Sequence, residues 1–179
     1  MKKNMVLRDI IGEYFWKGVS PMPTREEFIR LAQQHMDTVF RLAFSCLKSQ
    51  SDADDVTQTV LLRLYETKKV FDSDAHVKYW LIRVTLNECK KIWRSPWRKV
   101  EELTGIPQQE TLDRSVYSDL LEAIMALDRK YRTVIFLYYY EGYTVAQTAK
   151  LLRLPQSTVG TQLKRAKERL KQYLTQEEP

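Results

Sequence analysis

The sequence has 179 residues, of which 44% are hydrophobic, and a formal net charge of +6 at pH 7. This length allows one ordinary domain or two small ones with real cores, and only 5 glycines and 6 prolines with few alternating apolar runs predict an all-α protein. The basic excess favours a polyanionic partner, nucleic acid ahead of membrane, because the basic residues cluster on particular helices, although many proteins of similar charge have no such partner.

The sequence lacks the motifs of enzymatic or metal chemistry. Cys46 and Cys89 belong to no CxxC pair and lie among apolar helix positions, which predicts buried free thiols in a reducing cytosol. His35 and His76 are far apart, and no set of Cys, His and carboxylate has metal-ligand spacing. With no phosphate loop, nucleophile elbow or HExxH motif, we expect no enzyme, cofactor or metal. No apolar run approaches the roughly 20 residues of a membrane span, so we expect no membrane insertion, and the free thiols favour a cytoplasmic protein.

Residues 1–23 are predicted to form a weakly ordered N-terminal extension. Two lysines are followed by apolar residues that charged residues interrupt, which does not fit a secretory signal. The extension could be a short amphipathic helix that docks on the body. It could also be a disordered leader, with translation starting at Met22.

A first domain is predicted over residues 24–96. Thr24, with a glutamate three residues later, has the pattern of a capping box and predicts the start of the first helix. A second helix is predicted to begin at Asp52 or the next residue. Its first turn would hold Asp52, Asp54 and Asp55, which suit the positive end of a helix dipole. Three acids on an otherwise basic protein also favour a basic protein partner.

A third helix is predicted over residues 76–94, with Asp74 as a possible cap before it. Basic residues outnumber the single acid, Glu88, and aromatic side chains lie between them. Basic side chains neutralise phosphates and aromatic rings stack on unpaired bases, so the combination indicates single-stranded or melting DNA. Trp80 and Trp93, taken alone, favour core positions over base platforms.

A flexible linker is predicted over residues 97–114, which are charged and polar and show no sustained period. A second domain is predicted over residues 115–175. Within it, Asp128 is expected to cap a helix that ends at Gly142. Tyr138 is expected to face the core of that domain.

A helix-turn-helix motif is predicted in the second domain. Thr144 can cap its first helix, Pro155 forces a break, and Ser157 can cap its second helix. Leu154 and Val159 are expected to fill the joint between the helices. The outer face of the second helix is strongly basic, as expected of a helix that enters a DNA major groove. The alternative is an ordinary helical hairpin with a solvated basic face.

Four segments, in this order, resemble those of bacterial sigma factors of the sigma-70 family, in its extracytoplasmic-function (ECF) subfamily. Residues 52–65 resemble the acidic segment that binds core RNA polymerase, and residues 79–87 resemble the segment that leads into recognition of the minus-ten element. Residues 127–144 and 158–170 resemble the C-terminal sigma domain and its minus-thirty-five helix. The resemblance implies two small helical domains joined by a flexible linker, the C-terminal one a helix-turn-helix.

The resemblance also implies which side chains bind polymerase and promoter DNA. The second helix would contact the polymerase clamp through Asp52, Asp55, Gln58 and Leu62. The third helix would bind a flipped minus-ten base or the backbone phosphates through Arg83, Thr85, Asn87, Lys90, Lys91 and Arg94. The last helix would face the minus-thirty-five groove with Ser157, Thr158, Gly160, Thr161, Lys164 and Arg165.

Three residues depart from the family pattern. Thr148 stands where an aliphatic residue is usual, Arg153 where a glycine often makes the turn, and Gly160 where a basic or polar side chain is usual. A positive φ at Arg153 would cost about 1 kcal/mol. Together these departures favour weakened or altered promoter specificity.

We therefore predict an alternative sigma factor that binds core RNA polymerase and promoter DNA, and the family implies an anti-sigma factor as a further partner. One alternative is a stand-alone helix-turn-helix transcriptional regulator, which would leave the acidic and aromatic-basic helices without a role. Another is a nuclease that holds Mg²⁺ with the acids of the second helix. Neighbouring residues on a helix diverge by roughly 100°, which disfavours such a metal site.

Overall fold

The computed structural model describes residues 24–95 and 119–176, so the predicted N-terminal extension (1–23) and linker (97–114) lie outside the described residues. All regular elements within the described ranges are helical, as predicted. The first helical unit, residues 24–95, contains α1 (Arg25–Leu47), α2 (Gln50–Glu66) and α3 (Asp74–Arg94). The second helical unit, residues 119–176, contains α4 (Asp119–Ala126), α5 (Arg129–Ile135), α6 (Val145–Leu152) and α7 (Gln156–Gln176).

Hydroxyl caps determine where the helices of the first unit begin. Thr24 accepts a hydrogen bond from the Glu27 amide at 3.2 Å, which confirms the predicted start of α1. Helix α2 begins two or three residues earlier than predicted, because the Ser49 hydroxyl accepts from the Asp52 amide. Helix α3 is capped by Ser73 rather than by Asp74.

Of two helix caps predicted in the second unit, one forms as predicted and the other does not. Thr144 forms a complete capping box with Gln147 at the start of α6, as predicted. Asp128 occupies the N-cap position of α5, but its side chain makes no capping hydrogen bond. Its carboxylate instead pairs with Arg169 of α7 at 3.0 Å and so ties the two helices together.

The turn between α6 and α7 contains a left-handed residue. Arg153 has φ 58°, so this chain places a residue with a Cβ where glycine avoids a strain of about 1 kcal/mol. Val159 is fully buried in the joint, as predicted, whereas Leu154 is 37% exposed and does not fill it. Helix α7 already begins at Gln156, so Ser157 lies inside the first turn and is not the cap.

Helix α5 continues into a π-helical turn over residues 136–140 and ends at Gly142. Gly142 has φ 74°, the left-handed conformation that commonly ends helices, and this confirms the predicted end. The prediction that Tyr138 faces the core was wrong, since 36% of it is exposed. A π turn contains an extra residue, and it therefore rotates the following side chains away from the face that α-helical spacing predicts.

The two helical units share buried surface. The first unit packs its three helices around fully buried residues that include Val39, Leu42, Val60, Leu64 and Ile82. In the second unit, Val134, Val159 and Ala166 are fully buried where α5, α6 and α7 meet. Leu137 and Leu151 also belong to the second unit, yet they pack into the core of the first. The two units are therefore in direct contact.

Both cysteines are buried free thiols, as predicted. Cys46 lies in α1 at the boundary between the units, with its Sγ 3.5 Å from Thr133 Oγ1 of α5. None of the described helices is both long enough and apolar enough to cross a membrane.

Candidate nucleic-acid and protein interfaces

Helix α2 presents an acidic and apolar face. Asp55, Gln58 and Leu62 follow each other at spacings of three and four, so they share one side of the helix, and all three are exposed. Leu62 is 60% exposed, which is unusual for a large aliphatic residue on a helix with so many buried positions. Such a residue on the same side of the helix as a carboxylate suits a partner surface that offers both a basic group and an apolar contact.

Because α2 begins earlier than predicted, its acidic residues do not all lie in the first turn. Only Asp52 lies in the first turn, where its carboxylate interacts favourably with the helix dipole. Asp55 lies beyond that turn, and the dipole effect falls off there. Helix stability therefore accounts for Asp52, whereas Asp54 and Asp55 are both exposed beyond the first turn and available to a partner.

Helix α3 carries a stripe of basic and polar side chains. We call five residues the minus-ten face: Arg83, Asn87, Lys90, Lys91 and Arg94. Asn87, Lys91 and Arg94 are exposed, whereas Arg83 and Lys90 are half-buried. Burial lowers the pKa of Lys90 from its usual value, and the positive charges of Arg153 and Arg83 lower it further.

Thr85 does not belong to this stripe, so its predicted contact with a flipped base is not supported. It is completely buried, and its hydroxyl donates to the Leu81 carbonyl at 2.8 Å. Thr85 follows Leu81 by four residues and therefore lies on the same, inward face of α3. Asn87 lies beyond this inward face and is exposed.

Buried Glu88 orders the other side of α3. Its carboxylate lies 2.7 Å from Arg63 of α2 and 3.0 Å from Lys91. The Glu88 carboxylate therefore partly neutralises the charge of Lys91, and we expect Lys91 to bind phosphates less strongly than Arg94 does.

Helix α7 exposes a polar and basic face while its opposite face is held in the core. Of the six predicted DNA contacts, Ser157, Thr161, Lys164 and Arg165 are exposed, and Thr158 and Gly160 are half-buried. Thr161 donates its hydroxyl to the Ser157 carbonyl at 2.8 Å, so its side chain has a defined orientation. Gly160 has open space around it, since a Cβ added there would meet nothing within 4 Å.

Two basic residues that the sequence analysis did not single out as DNA contacts join these surfaces. Lys130 and Tyr131 of α5 line a shallow groove of about 290 Å³ together with Ser157, Thr161 and Arg165. Arg153, in the turn, lies close enough to Lys90 of α3 to lower its pKa. The sequence could have indicated Lys130, which stands at the start of the helix that supports α7. Arg153 could not have been linked to α3 without the packing of the two units.

Two family models match parts of this chain. A family model of sigma-70 region 2 matches residues 31–99, and one of sigma-70 region 4 matches residues 117–170. The chain is 30% identical over 158 residues to the RNA polymerase sigma-E factor of Streptomyces avermitilis, covering 83% of this chain and 84% of the relative. It is 27% identical over 154 residues to the ECF RNA polymerase sigma factor SigM of Mycobacterium tuberculosis, covering 84% and 78%.

A solved structure has the same fold. The sigma factor RpoE, in complex with the anti-sigma factor NepR from Bartonella quintana, matches with a TM-score of 0.67 at 21% identity. The match covers 84% of this chain and 98% of that one. The chain belongs to the sigma-70 family of RNA polymerase sigma factors, in its ECF subfamily.

Proposed function

We propose that this chain is an alternative sigma factor that binds core RNA polymerase through α2, directs it to promoters through α3 and α7, and assists promoter opening. The observation that carries the proposal is the separation of charge. The acidic and apolar face lies on α2, whereas the basic faces lie on α3 and α7. A bridge between a protein and a polyanion needs these two kinds of surface at different places. Two buried free thiols fit a reducing compartment, so we infer a cytoplasmic protein.

The polymerase contact would centre on Asp55 and Leu62. Leu62 supplies an apolar anchor, and Asp55 and Gln58 supply a carboxylate and an amide one to two turns earlier on the same side. Burying an aliphatic side chain that is 60% exposed in the free protein would contribute about 1–2 kcal/mol to binding. The carboxylate would add specificity for a basic surface of the clamp more than affinity.

The minus-ten element would be bound by α3. Arg83, Lys90 and Arg94 follow one another at spacings of seven and four and can track a phosphate backbone. Asn87 lies between them, and its amide can both donate to and accept from the edge of an unpaired base. A strand held in this way would stay separated from its complement, which is how the chain would assist promoter opening.

The minus-thirty-five element would be bound by α7. Lys164 and Arg165 offer cations to phosphates or guanine edges, and Ser157 and Thr161 offer hydroxyls near the start of the helix. Lys130, across the groove from α7, would add one phosphate contact that positions the helix. The glycine at position 160 removes one side chain from the centre of this face.

Pull-down of core RNA polymerase with the purified chain tests the proposal. We expect stable binding by the wild type and loss of binding by Asp55→Arg. Asp72→Arg is the matched control, because it makes the same charge change at a side chain that is 87% exposed in the loop before α3. The proposal fails if the wild type does not bind core polymerase, or if both variants lose binding equally.

Membership in the ECF subfamily also leads us to propose an inhibitory anti-sigma partner. The RpoE of the solved structure is bound to such a protein, NepR. Co-purification of the tagged chain from its native host should recover a protein that competes with core polymerase. If the recovered proteins include polymerase subunits but none that competes with them for the chain, this partner is absent.

A further inference from the structure

An exposed stripe on α2 ends beside the start of α1. We call four residues the α2 stripe, since they follow one another at spacings of three and four and are all exposed: Asp55, Gln58, Leu62 and Tyr65. The Tyr65 ring packs edge-on against Phe28 of α1, with the ring centroids 5.3 Å apart, and 48% of Tyr65 is still exposed. The stripe is therefore acidic at one end and apolar at the end that touches α1.

The apolar end of the α2 stripe belongs to a larger exposed surface. Leu62 is 60% exposed, and Ile29, the residue after Phe28 on α1, is 42% exposed. The core beneath is complete, since Val60 and Leu64 of α2 are fully buried. Large apolar side chains that a packed core leaves exposed together mark a surface that binds another segment or another protein.

The acidic end of the α2 stripe defines what such a segment must carry. Asp54 and Asp55 are both exposed, and they lie beyond the first turn, where the helix dipole has little effect on them. A complementary segment therefore needs an apolar side for Leu62 and Tyr65, and cations placed beyond one end of that side.

The first residues of this chain have this pattern. Their apolar residues include four that recur at the spacing of one side of an amphipathic helix: Leu7, Ile10, Ile11 and Tyr14. At the same spacing, the two acids of the segment, Asp9 and Glu13, fall on the other side. Lys2 and Lys3 precede the apolar residues. The segment thus offers an apolar side with two cations beyond one end of it.

The connection to α1 brings this segment to the α2 stripe. Helix α1 begins three residues before Phe28, so residues 17–23 join the segment to a point about one turn from the contact between Phe28 and Tyr65. Seven residues reach at most about 25 Å, and Gly18 and Pro21 suit a reversal of chain direction.

The dimensions of the segment and the stripe also agree. Residues 5–16 would span about 18 Å at the helical rise, and the stripe from Asp55 to Tyr65 spans about 15 Å. A segment that runs back along α2 from the connection places its apolar side over Leu62 and Tyr65. Its lysines then reach the acidic end of the stripe.

We propose that residues 5–16 bind the α2 stripe of the same molecule, with Lys2 and Lys3 against Asp54 and Asp55, and compete with core polymerase for α2. This inference rests on the proposed role of α2 in polymerase binding. A short connection gives the segment a local concentration on the order of millimolar, so a contact that is weak between separate molecules is populated within one. The apparent affinity for polymerase falls in proportion to the fraction of molecules in which α2 is occupied.

The first measurement locates the segment without polymerase. The photoreactive amino acid p-benzoylphenylalanine is placed at position 58 of the full-length chain, in the middle of the α2 stripe, and mass spectrometry identifies the cross-linked peptides. We expect cross-links to residues 5–16 of the same molecule that do not decrease on dilution. The same amino acid at position 172 is the matched control, because it also replaces an exposed glutamine, on α7 of the second unit.

The second measurement tests competition. Leu7→Asp/Ile11→Asp places two charges on the apolar side of the segment, and Val19→Asp/Met22→Asp makes the same charge change in the connection. Fluorescence anisotropy of each labelled full-length chain gives its affinity for core polymerase. We expect Leu7→Asp/Ile11→Asp to lose the cross-link from position 58 and to bind polymerase about threefold or more tightly, because α2 is no longer occupied. The control should resemble the wild type in both measurements.

Four outcomes would overturn the inference. Position 58 yielding no cross-link to residues 5–16, or the same cross-link in Leu7→Asp/Ile11→Asp, would show that the apolar side does not bind the stripe. Cross-links between two molecules that disappear on dilution would assign the stripe to a second copy of the chain. Loss of the cross-link without a gain in polymerase affinity over the control would show that the segment does not compete. If no variant binds polymerase, the proposed function fails, and the cross-linking result separates that failure from a failure of the segment to bind.

Discussion

The Lys78 ammonium lies 2.6 Å from the Glu141 carboxylate, and the two residues differ greatly in burial: the lysine side chain is 33% exposed and the glutamate side chain 2%. Removing either partner therefore has a different consequence. A lysine left alone can turn its ammonium into water, whereas a glutamate left alone is a buried carboxyl group without its partner. The lysine is therefore needed to pair the buried carboxylate while the units are packed together.

The two single neutral substitutions at this pair should differ in size. Lys78→Met should weaken the packing of the units by about 2–4 kcal/mol, because it leaves a buried carboxylate without a partner. Glu141→Gln should weaken it by about 1 kcal/mol, since the amide can keep a hydrogen bond and the lysine can reach water. Native-state hydrogen exchange of the α5 amides, which lie against the first unit, measures both. Equal loss of protection in the two variants would contradict the asymmetry.

A buried hydroxyl in α6 predicts a stabilising substitution. Thr148 is fully buried, and its Oγ1 has no hydrogen-bond partner among the described residues. Thr148→Val keeps the shape and removes the unpaired polar atom, so it should raise the free energy of unfolding by about 1 kcal/mol. Thr85→Val is the control, because that hydroxyl is bonded to the Leu81 carbonyl and its removal should not stabilise the chain. Urea denaturation of both variants measures whether the free energy of unfolding rises or falls.

Asn87 and Thr85 of α3 were both predicted to bind the minus-ten strand, and substitutions can distinguish their roles. Asn87 is exposed on the minus-ten face, so Asn87→Ala should lower affinity for the single-stranded minus-ten DNA by about 1–3 kcal/mol, the range for one base contact. Thr85→Val should leave that affinity unaltered, because the side chain is fully buried. The measurement is anisotropy with a labelled oligonucleotide. Loss of affinity in Thr85→Val, with its helix content intact, would restore the sequence-based assignment.

The fold was largely predictable because its signals are local. The caps at Thr24 and Thr144 and the helix end at Gly142 depend on residues within one turn of the chain. The errors arose where the position of a side chain depends on more than the nearest residues. Tyr138 turns outward after a π turn that α-helical spacing does not anticipate. Thr85 was assigned to DNA from the family motif, although its spacing from Leu81 places it on the inward face.

The relation between the two units could not be predicted from the sequence. Lys78 and Glu141 are 63 positions apart in the sequence, and either could have been a solvated surface charge. No residue near Arg132 in the sequence indicates that its guanidinium donates to the Ser45 carbonyl. Helical periodicity shows which side of a helix is apolar, but it does not show which polar side a second unit covers.

A buried histidine in α1 predicts acid sensitivity. Burial is the largest effect on His35 and lowers its pKa from the usual 6.5. The unfolded chain therefore binds a proton at His35 more readily than the folded chain does, and stability falls as the pH drops below 6.5. His35→Phe should remove this part of the acid sensitivity, and His76→Gln, an exposed position, should not. Thermal melts between pH 7 and about pH 5 give the comparison, and identical slopes for wild type and His35→Phe would refute it.

Gly160 lies inside α7 with open space where a Cβ would be, so the chain can accept a side chain there. Gly160→Ala should stabilise the chain by about 0.5–1 kcal/mol, because alanine loses less conformational freedom in a helix than glycine does. Gly142→Ala is the opposite control: its φ of 74° strains a residue with a Cβ, and we expect a loss of about 1 kcal/mol.

Gly160→Lys should add one phosphate contact on the minus-thirty-five face and steepen the slope of log affinity against log salt by about 0.9. Duplex DNA titrations at several salt concentrations measure that slope. A stabilised Gly160→Lys variant with an unaltered salt slope would show that this part of α7 faces away from the phosphates.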